Sequence, residues 1–157
     1  MLEVPGPTFD PDRLASAFEQ LPAGAWVLPV PDDVVNPGYR FAQLVVGGNV
    51  KPVAALFRFV LDEFQPVWTA WVAEVPAGKF IAPHIDEGPY HERWHVPIVP
   101  AGTFDGRTVE AGVSFPVQHW VAHRVDNPTG RDRIHLVIDR VELVDVPSAP
   151  FQRIEVS

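Results

Sequence analysis

All six histidines of this chain fall between His84 and His135. The first opens the run His84-Ile85-Asp86; His123 follows far downstream, and Arg133 lies ten residues beyond it. On a β-strand, residues i and i+2 point to one face, so His84 and Asp86 can grip one ion while Ile85 turns away. Adding His123 gives two imidazoles and one carboxylate with the other coordination positions open. That donor set suits a non-haem Fe(II) centre that works with O2. A His-x-Asp pair alone is common on protein surfaces, so the weight falls on what accompanies it.

Two further pairs fall at matching strand parity. Arg93 and His95 share one face of a predicted strand, with Trp94 and Val96 on the other. Arg133 and His135 share a face in Arg133-Ile-His-Leu-Val-Ile138, alternating with Ile134 and Leu136. Burying an arginine in so apolar a strand is costly unless an anion pairs with it. Asp126 or Asp139 could supply an internal bridge to Arg133. A bound anionic ligand is the other way to satisfy it.

The elements that would carry these residues are mostly strands. Val67–Val75, 79–85, 93–99, 109–115, 119–125 and 133–144 read as short β segments. They are separated by turn sequences such as Pro76-Ala77-Gly78, Gly88-Pro89, Pro100-Ala101-Gly102, Asp105-Gly106 and Asn127-Pro128-Thr129-Gly130. Upstream, Asp10-Pro11 reads as a helix N-cap followed by proline at the first helical position, opening a helix to about Leu21. A short extended piece is expected around 25–30 and a strand over 39–46, closed by Gly47-Gly48. Val53, Leu56, Phe57, Val60, Leu61 and Phe64 form the apolar stripe of a second helix, suited to packing on a sheet. Helices followed by a run of strands make an α+β, mainly β layout. It is expected to be one domain, with residues 1–66 as helical support, 67–145 as the β core and 146–157 as a surface tail.

Composition agrees with that layout. Eighteen prolines are incompatible with a helical bundle. A net charge of −8 argues against a nucleic-acid surface, which needs clustered Lys and Arg. With no cysteine, disulfides and thiolate metal sites are excluded. No apolar run reaches the length of a membrane span, and no signal-like leader is present, so a soluble cytoplasmic protein is expected.

Together, Val75-Pro-Ala-Gly-Lys-Phe-Ile-Ala-Pro-His84-Ile-Asp86, Arg93-Trp-His95-Val-Pro97, His123-Arg-Val-Asp-Asn127 and Arg133-Ile-His-Leu-Val-Ile-Asp139 resemble the aspartyl/asparaginyl β-hydroxylase family. That family lies within the Fe(II)- and 2-oxoglutarate-dependent oxygenases and includes small free-amino-acid hydroxylases such as proline hydroxylases. The resemblance covers roughly residues 67–140. It implies a double-stranded β-helix, the cupin-like jelly roll, supported by two N-terminal helices. It also implies Fe(II) on His84, Asp86 and His123, with Arg133 binding the distal carboxylate of 2-oxoglutarate. Arg93 and His95 would stand near the cosubstrate's other, metal-bound end. O2 is the third participant, and no catalytic group beyond the ligands is implied.

The chain departs from some relatives. Vertebrate-type protein hydroxylases of the family lack a metal carboxylate, which Asp86 supplies here as in the small amino-acid hydroxylases. Ala73 stands where some members carry a hydroxyl for the distal carboxylate, and Thr69 shares its strand parity. The loop Glu87–Glu92, immediately after Asp86, is expected to bring Tyr90 and His91 to the substrate. His119 is expected to be structural, and His135 to pack or to support a ligand through a hydrogen bond. Trp68, Trp71, Trp94 and Trp120 are expected to fill the core. The substrate class is a small molecule or peptide side chain. Two alternatives are a cupin-like metal isomerase or dioxygenase that needs no 2-oxoglutarate, and a non-catalytic ligand-binding barrel.

Overall fold

Alternation of apolar and polar residues along the strands decides the architecture, because it leaves one sheet face for a core and the other for a site. A computed structural model describes residues 6–27, 39–84, 92–118 and 122–141, without the side chains of 82–84. The strands are β1 (Trp26–Val27), β2 (Arg40–Val46), β3 (Asn49–Val50), β4 (Val67–Val75) and β5 (Phe80–His84). They continue with β6 (Glu92–Val99), β7 (Thr103–Phe104), β8 (Phe115–Val117), β9 (His123–Asp126) and β10 (Arg133–Arg140). A main antiparallel sheet runs β1-β2-β4-β10-β6-β8, with β3 on β2, and a small sheet runs β5-β9-β7. These are the two layers of a jelly roll, so the expected mainly-β, cupin-like fold is present.

Helix α1 (Pro11–Glu19) starts where the sequence predicts, with the Asp10 carboxylate accepting from Asp12 N. It buries Leu14 and Ala17 on the main sheet. The second helix differs from expectation. Residues Pro52–Phe57 form a 3-10 helix, and only Arg58–Leu61 (α2) are α-helical. Ala54 and Phe57, three residues apart within the 3-10 stretch, are both buried, the spacing such a turn brings to one side. The apolar stripe does pack on the sheet, as expected, but in the tighter geometry.

Two β assignments also shift. Residues 109–115 are not a strand: Gly112 sits at φ +80°, Val113 N bonds back to Glu110 O, and the strand begins only at Phe115. Gly112 O accepts from Phe9 N while its own N–H donates to Pro97 O, so this segment joins the N-terminal loop to β6. β7 was not anticipated at all. The ends of the pieces predicted at 25–30, 79–85, 119–125 and 133–144, and the tail from 146, lie outside the described residues. No helix among the described residues is long and apolar enough to cross a membrane.

The apolar core lies between the helices and the outer face of the main sheet. Val72, Val96, Leu136 and Ile138 from β4, β6 and β10 meet Phe57 and Leu14 there, all fully buried. The opposite, inner face of the same strands looks toward β5-β9-β7 and carries the candidate site.

Candidate active site

Strand β10 is central, and its register fixes the inner face row by row. Asp139 lies between Thr69 of β4 and Arg93 of β6; Val137 between Trp71 and His95; His135 between Ala73 and Pro97; Arg133 beside Val75. The parities predicted for the strands now β6 and β10 hold: Arg93 and His95 point inward, and Val96, with Trp94 beside it, joins the outer core.

The first row is an ion pair. Arg93 Nε and Nη2 donate to the two Asp139 carboxylate oxygens at 2.6 and 2.9 Å, with both residues buried. The Arg93 guanidinium also lies over the Trp71 ring, 4.9 Å from its centroid. Asp139, one of the two carboxylates available for an internal bridge to Arg133, is thus committed to Arg93. The other, Asp126, takes Arg124 at 2.7 Å on the surface.

Arg133 is left in a different state. It is 2% exposed, and among the described residues no carboxylate pairs with it. Burial pushes its guanidinium down to about 9, and the nearby Tyr39 phenol offsets part of that shift. It is therefore still a cation at neutral pH, held in a nearly dry position.

Its bonded neighbour is an imidazole. Arg133 Nη2 lies 2.9 Å from His135 Nδ1, and His95 Nδ1 lies 2.9 Å from the same atom. Arginine can only donate, so His135 Nδ1 must accept and the ring must carry its hydrogen on Nε2. His95 then donates from Nδ1, making His135 Nδ1 a shared acceptor. Burial, then the Arg133 charge and then His95 hold His135 well below the ordinary histidine pKa, so it is neutral. The resulting Nε2–H is buried and has no partner among the described residues. An orphaned donor of this kind costs about 1–3 kcal/mol. Beside a buried guanidinium, this donor could be satisfied by an acceptor-rich anion.

The facing sheet brings the histidines predicted to hold metal. β5 and β9 pair with His84 opposite His123. His123 is buried; for His84 only the backbone is described. Asp86, Tyr90 and His91 lie outside the described residues, as do His119 and Trp120. Among the described residues no three His, Asp or Glu side chains gather around one point. The His123 ring stacks on Phe104 at 5.2 Å and 25°, and Phe104 in turn meets the edge of His95 at 5.1 Å. The small sheet and the main sheet are therefore in direct aromatic contact.

Three site residues were not singled out from sequence. Trp71 is half-buried on the inner face, contrary to the core-filling role expected of it; Trp68 and Trp94 do pack inside. Both faces of β4 carry apolar residues, so alternation alone gave no way to choose. Tyr39 accepts a hydrogen bond from Trp71 Nε1 at 3.3 Å and packs with Val75. Phe104 sits between two turn sequences that leave only two residues for a strand.

No family model and no curated protein matches the sequence. Solved structures match the fold. An oxidoreductase of the 2OG-Fe(II) oxygenase family from Burkholderia pseudomallei aligns with TM-score 0.60 and 14% identity, over 82% of this chain and 76% of that one. A Pseudomonas putida prolyl-4-hydroxylase aligns with TM-score 0.55 and 16% identity, over 84% and 86%. A DMSP lyase from Ruegeria pomeroyi aligns with TM-score 0.52 and 17% identity, over 97% and 82%. At such identities the likeness establishes the fold shared by 2OG-Fe(II) oxygenases and cupins. The choice among chemistries falls to the site.

Proposed function

We propose that this protein is an Fe(II)- and 2-oxoglutarate-dependent oxygenase of the aspartyl/asparaginyl β-hydroxylase type. It would hydroxylate an unactivated C–H bond of a free amino acid, natural-product intermediate or peptide side chain. The observation that carries this reading is Arg133, a buried cation without a carboxylate partner among the described residues, next to the orphaned Nε2–H of His135. A cupin enzyme that uses no dicarboxylate has no need of such a subsite, and neither does an empty structural barrel.

Among the described residues, Arg133 and the orphaned His135 Nε2–H fit a dicarboxylate cosubstrate, and the buried His123 is available as an imidazole donor. Arg133 would receive the distal carboxylate through its two-pronged donor edge, which a lysine cannot reproduce. Tyr39, whose phenol acts on the Arg133 charge, would line the same end of the pocket. Arg93 and His95 would stand by the opposite carboxylate, with Asp139 holding two of the five Arg93 N–H groups and so fixing its plane. His84, Asp86 and His123 would supply the facial donor set for Fe(II). Bound there, Fe(II) with O2 would convert 2-oxoglutarate to succinate and CO2 and deliver the second oxygen atom to the substrate C–H bond. The chain's own part is to orient the dicarboxylate, hold the imidazoles and keep water away. Tyr90 and His91 are proposed to contact the substrate.

Anaerobic Fe(II) titration and succinate release test the reading together. One Fe(II) per chain and 2-oxoglutarate-dependent succinate are expected, and His123→Ala should abolish both. Full iron stoichiometry in that variant would overturn the ligand assignment. Turnover without 2-oxoglutarate would return the site to the cosubstrate-free cupin enzymes.

A further inference from the structure

We propose that Phe104 is a positioning residue for His123, setting the plane of the imidazole that ligates the metal. The inference rests on His123 being a ligand, as proposed above. A histidine ring on a strand has a broad, two-fold preference about its last torsion, so a ligand ring needs an outside restraint to keep one orientation. Phe104 is placed to provide it. The two rings are stacked, 5.2 Å apart and 25° from parallel.

The phenyl ring is itself held from the other side. It meets His95 edge-on at 5.1 Å and 63°, and Phe115 at 5.6 Å and 63°, and is buried. It cannot swing away from His123 without breaking contacts to the main sheet. The backbone is fixed as well. Phe104 pairs with Val125, two residues along from His123 on the same face of β9, and Asp105 N bonds to Arg124 O. Gly102 makes this approach possible: at φ +79°, a Cβ there would lie 2.0 Å from Asp126 O. A two-residue strand is thus anchored at a glycine so that one aromatic ring can lie flat on one imidazole. The same ring closes the inner apolar cluster with Val75, Phe115, Val117 and Val125, which holds it rigidly in place.

Co(II) is a suitable probe, because its d–d absorption reports coordination geometry without turnover. In anaerobic titrations of the full chain, Phe104→Leu should weaken Co(II) binding about tenfold, the scale seen when a ligand's supporting partner is lost. It should also change the d–d spectrum. Phe104→Tyr, which keeps the flat ring, should stay within about twofold of wild type. Thermal melting checks folding, and Phe104→Met, similar in volume but without a planar face, reads the same quantity if the leucine variant unfolds. Wild-type affinity and spectrum in a folded leucine or methionine variant, with His123→Ala losing Co(II), would overturn the positioning role alone. Retention of Co(II) by His123→Ala, or no binding by wild type, would overturn the ligand assignment and this inference with it.

Discussion

The two faces of strand β10 carry opposite chemistry on one backbone. Outward, Ile134, Leu136 and Ile138 are buried in the apolar core under the helices. Inward, Arg133, His135 and Asp139 are buried just as deeply. Each outward side chain contributes about 1.5–3 kcal/mol by leaving water. The inward ones lose hydration, and only Asp139 recovers it fully, through Arg93. Most of the strand's apolar burial therefore lies on its outward parity, with Val137 the inward exception. The other parity is tolerated at a cost, which a bound anion would offset.

The sharpest way to break this contrast is to truncate one residue from each face. Leu136→Ala should lower unfolding free energy by about 2–5 kcal/mol in chemical denaturation. It should leave 2-oxoglutarate affinity unchanged. Arg133→Met, close in volume, should do the reverse. Affinity for 2-oxoglutarate, measured by calorimetry on metal-loaded protein, should fall by about 2–5 kcal/mol, or roughly 30- to several-thousand-fold. Stability should stay level or rise, because an unneutralised buried cation has been removed. Arg133→Lys should recover part of the affinity, since a point charge cannot form the fork. Should Arg133→Met destabilise the chain as much as Leu136→Ala, the inner arginine is structural and the contrast fails.

Much of this contrast was legible in the sequence. Parity alone separated Arg133 and His135 from Ile134 and Leu136, and Arg93 and His95 from Val96. What parity could not supply was partnership. Asp126 and Asp139 were equal candidates to neutralise Arg133, and only the register of β10 against β6 assigns Asp139 to Arg93. Phe104 was hidden for a different reason. Two residues between turns give no period to read, and its role depends on a contact between two sheets. The 3-10 geometry of 52–57 was equally out of reach, because helical spacings of three and four residues overlap over so short a stretch. Asp86 and the loop after it remain expectations from sequence.

The second way to probe the inner face is pH. His135 is held neutral by burial, then by Arg133 and His95, so its folded pKa lies below 6.5. As pH falls through 6.5, the unfolded chain takes up a proton at this residue that the folded chain does not. Stability must then decline, by up to about 1.4 kcal/mol per pH unit from this group. Arg133 stays charged throughout that window and adds no slope. His135→Gln retains an acceptor for Arg133 but cannot titrate, so its stability should fall less steeply between pH 6.5 and 5. Equal slopes for the two proteins would mean that His135 is protonated in the fold, and the donor assignment to Nε2 would have to be given up.

The smallest expected effect concerns Tyr39, which tests whether the anion subsite reaches beyond β10. Trp71 Nε1 can only donate, so the Tyr39 oxygen must accept at 3.3 Å. Tyr39 stands one residue before the Arg40–Glu74 pair, beside Val75, and Val75 is the register partner of Arg133. The phenol also acts on the Arg133 charge, so a carboxylate held on Arg133 would lie near it. Tyr39→Phe removes the acceptor for Trp71 Nε1 along with the proposed bond to the carboxylate, and little volume; the latter bond should cost 2-oxoglutarate affinity about 0.5–1.5 kcal/mol, or roughly 2- to 10-fold. Metal affinity should not change. A 2-oxo acid lacking the distal carboxylate gives the control, because its weaker binding should be indifferent to this substitution. If both acids lose affinity equally, Tyr39 shapes the wall of the pocket without touching the carboxylate. If only the dicarboxylate does, the subsite spans from β10 to the start of β2.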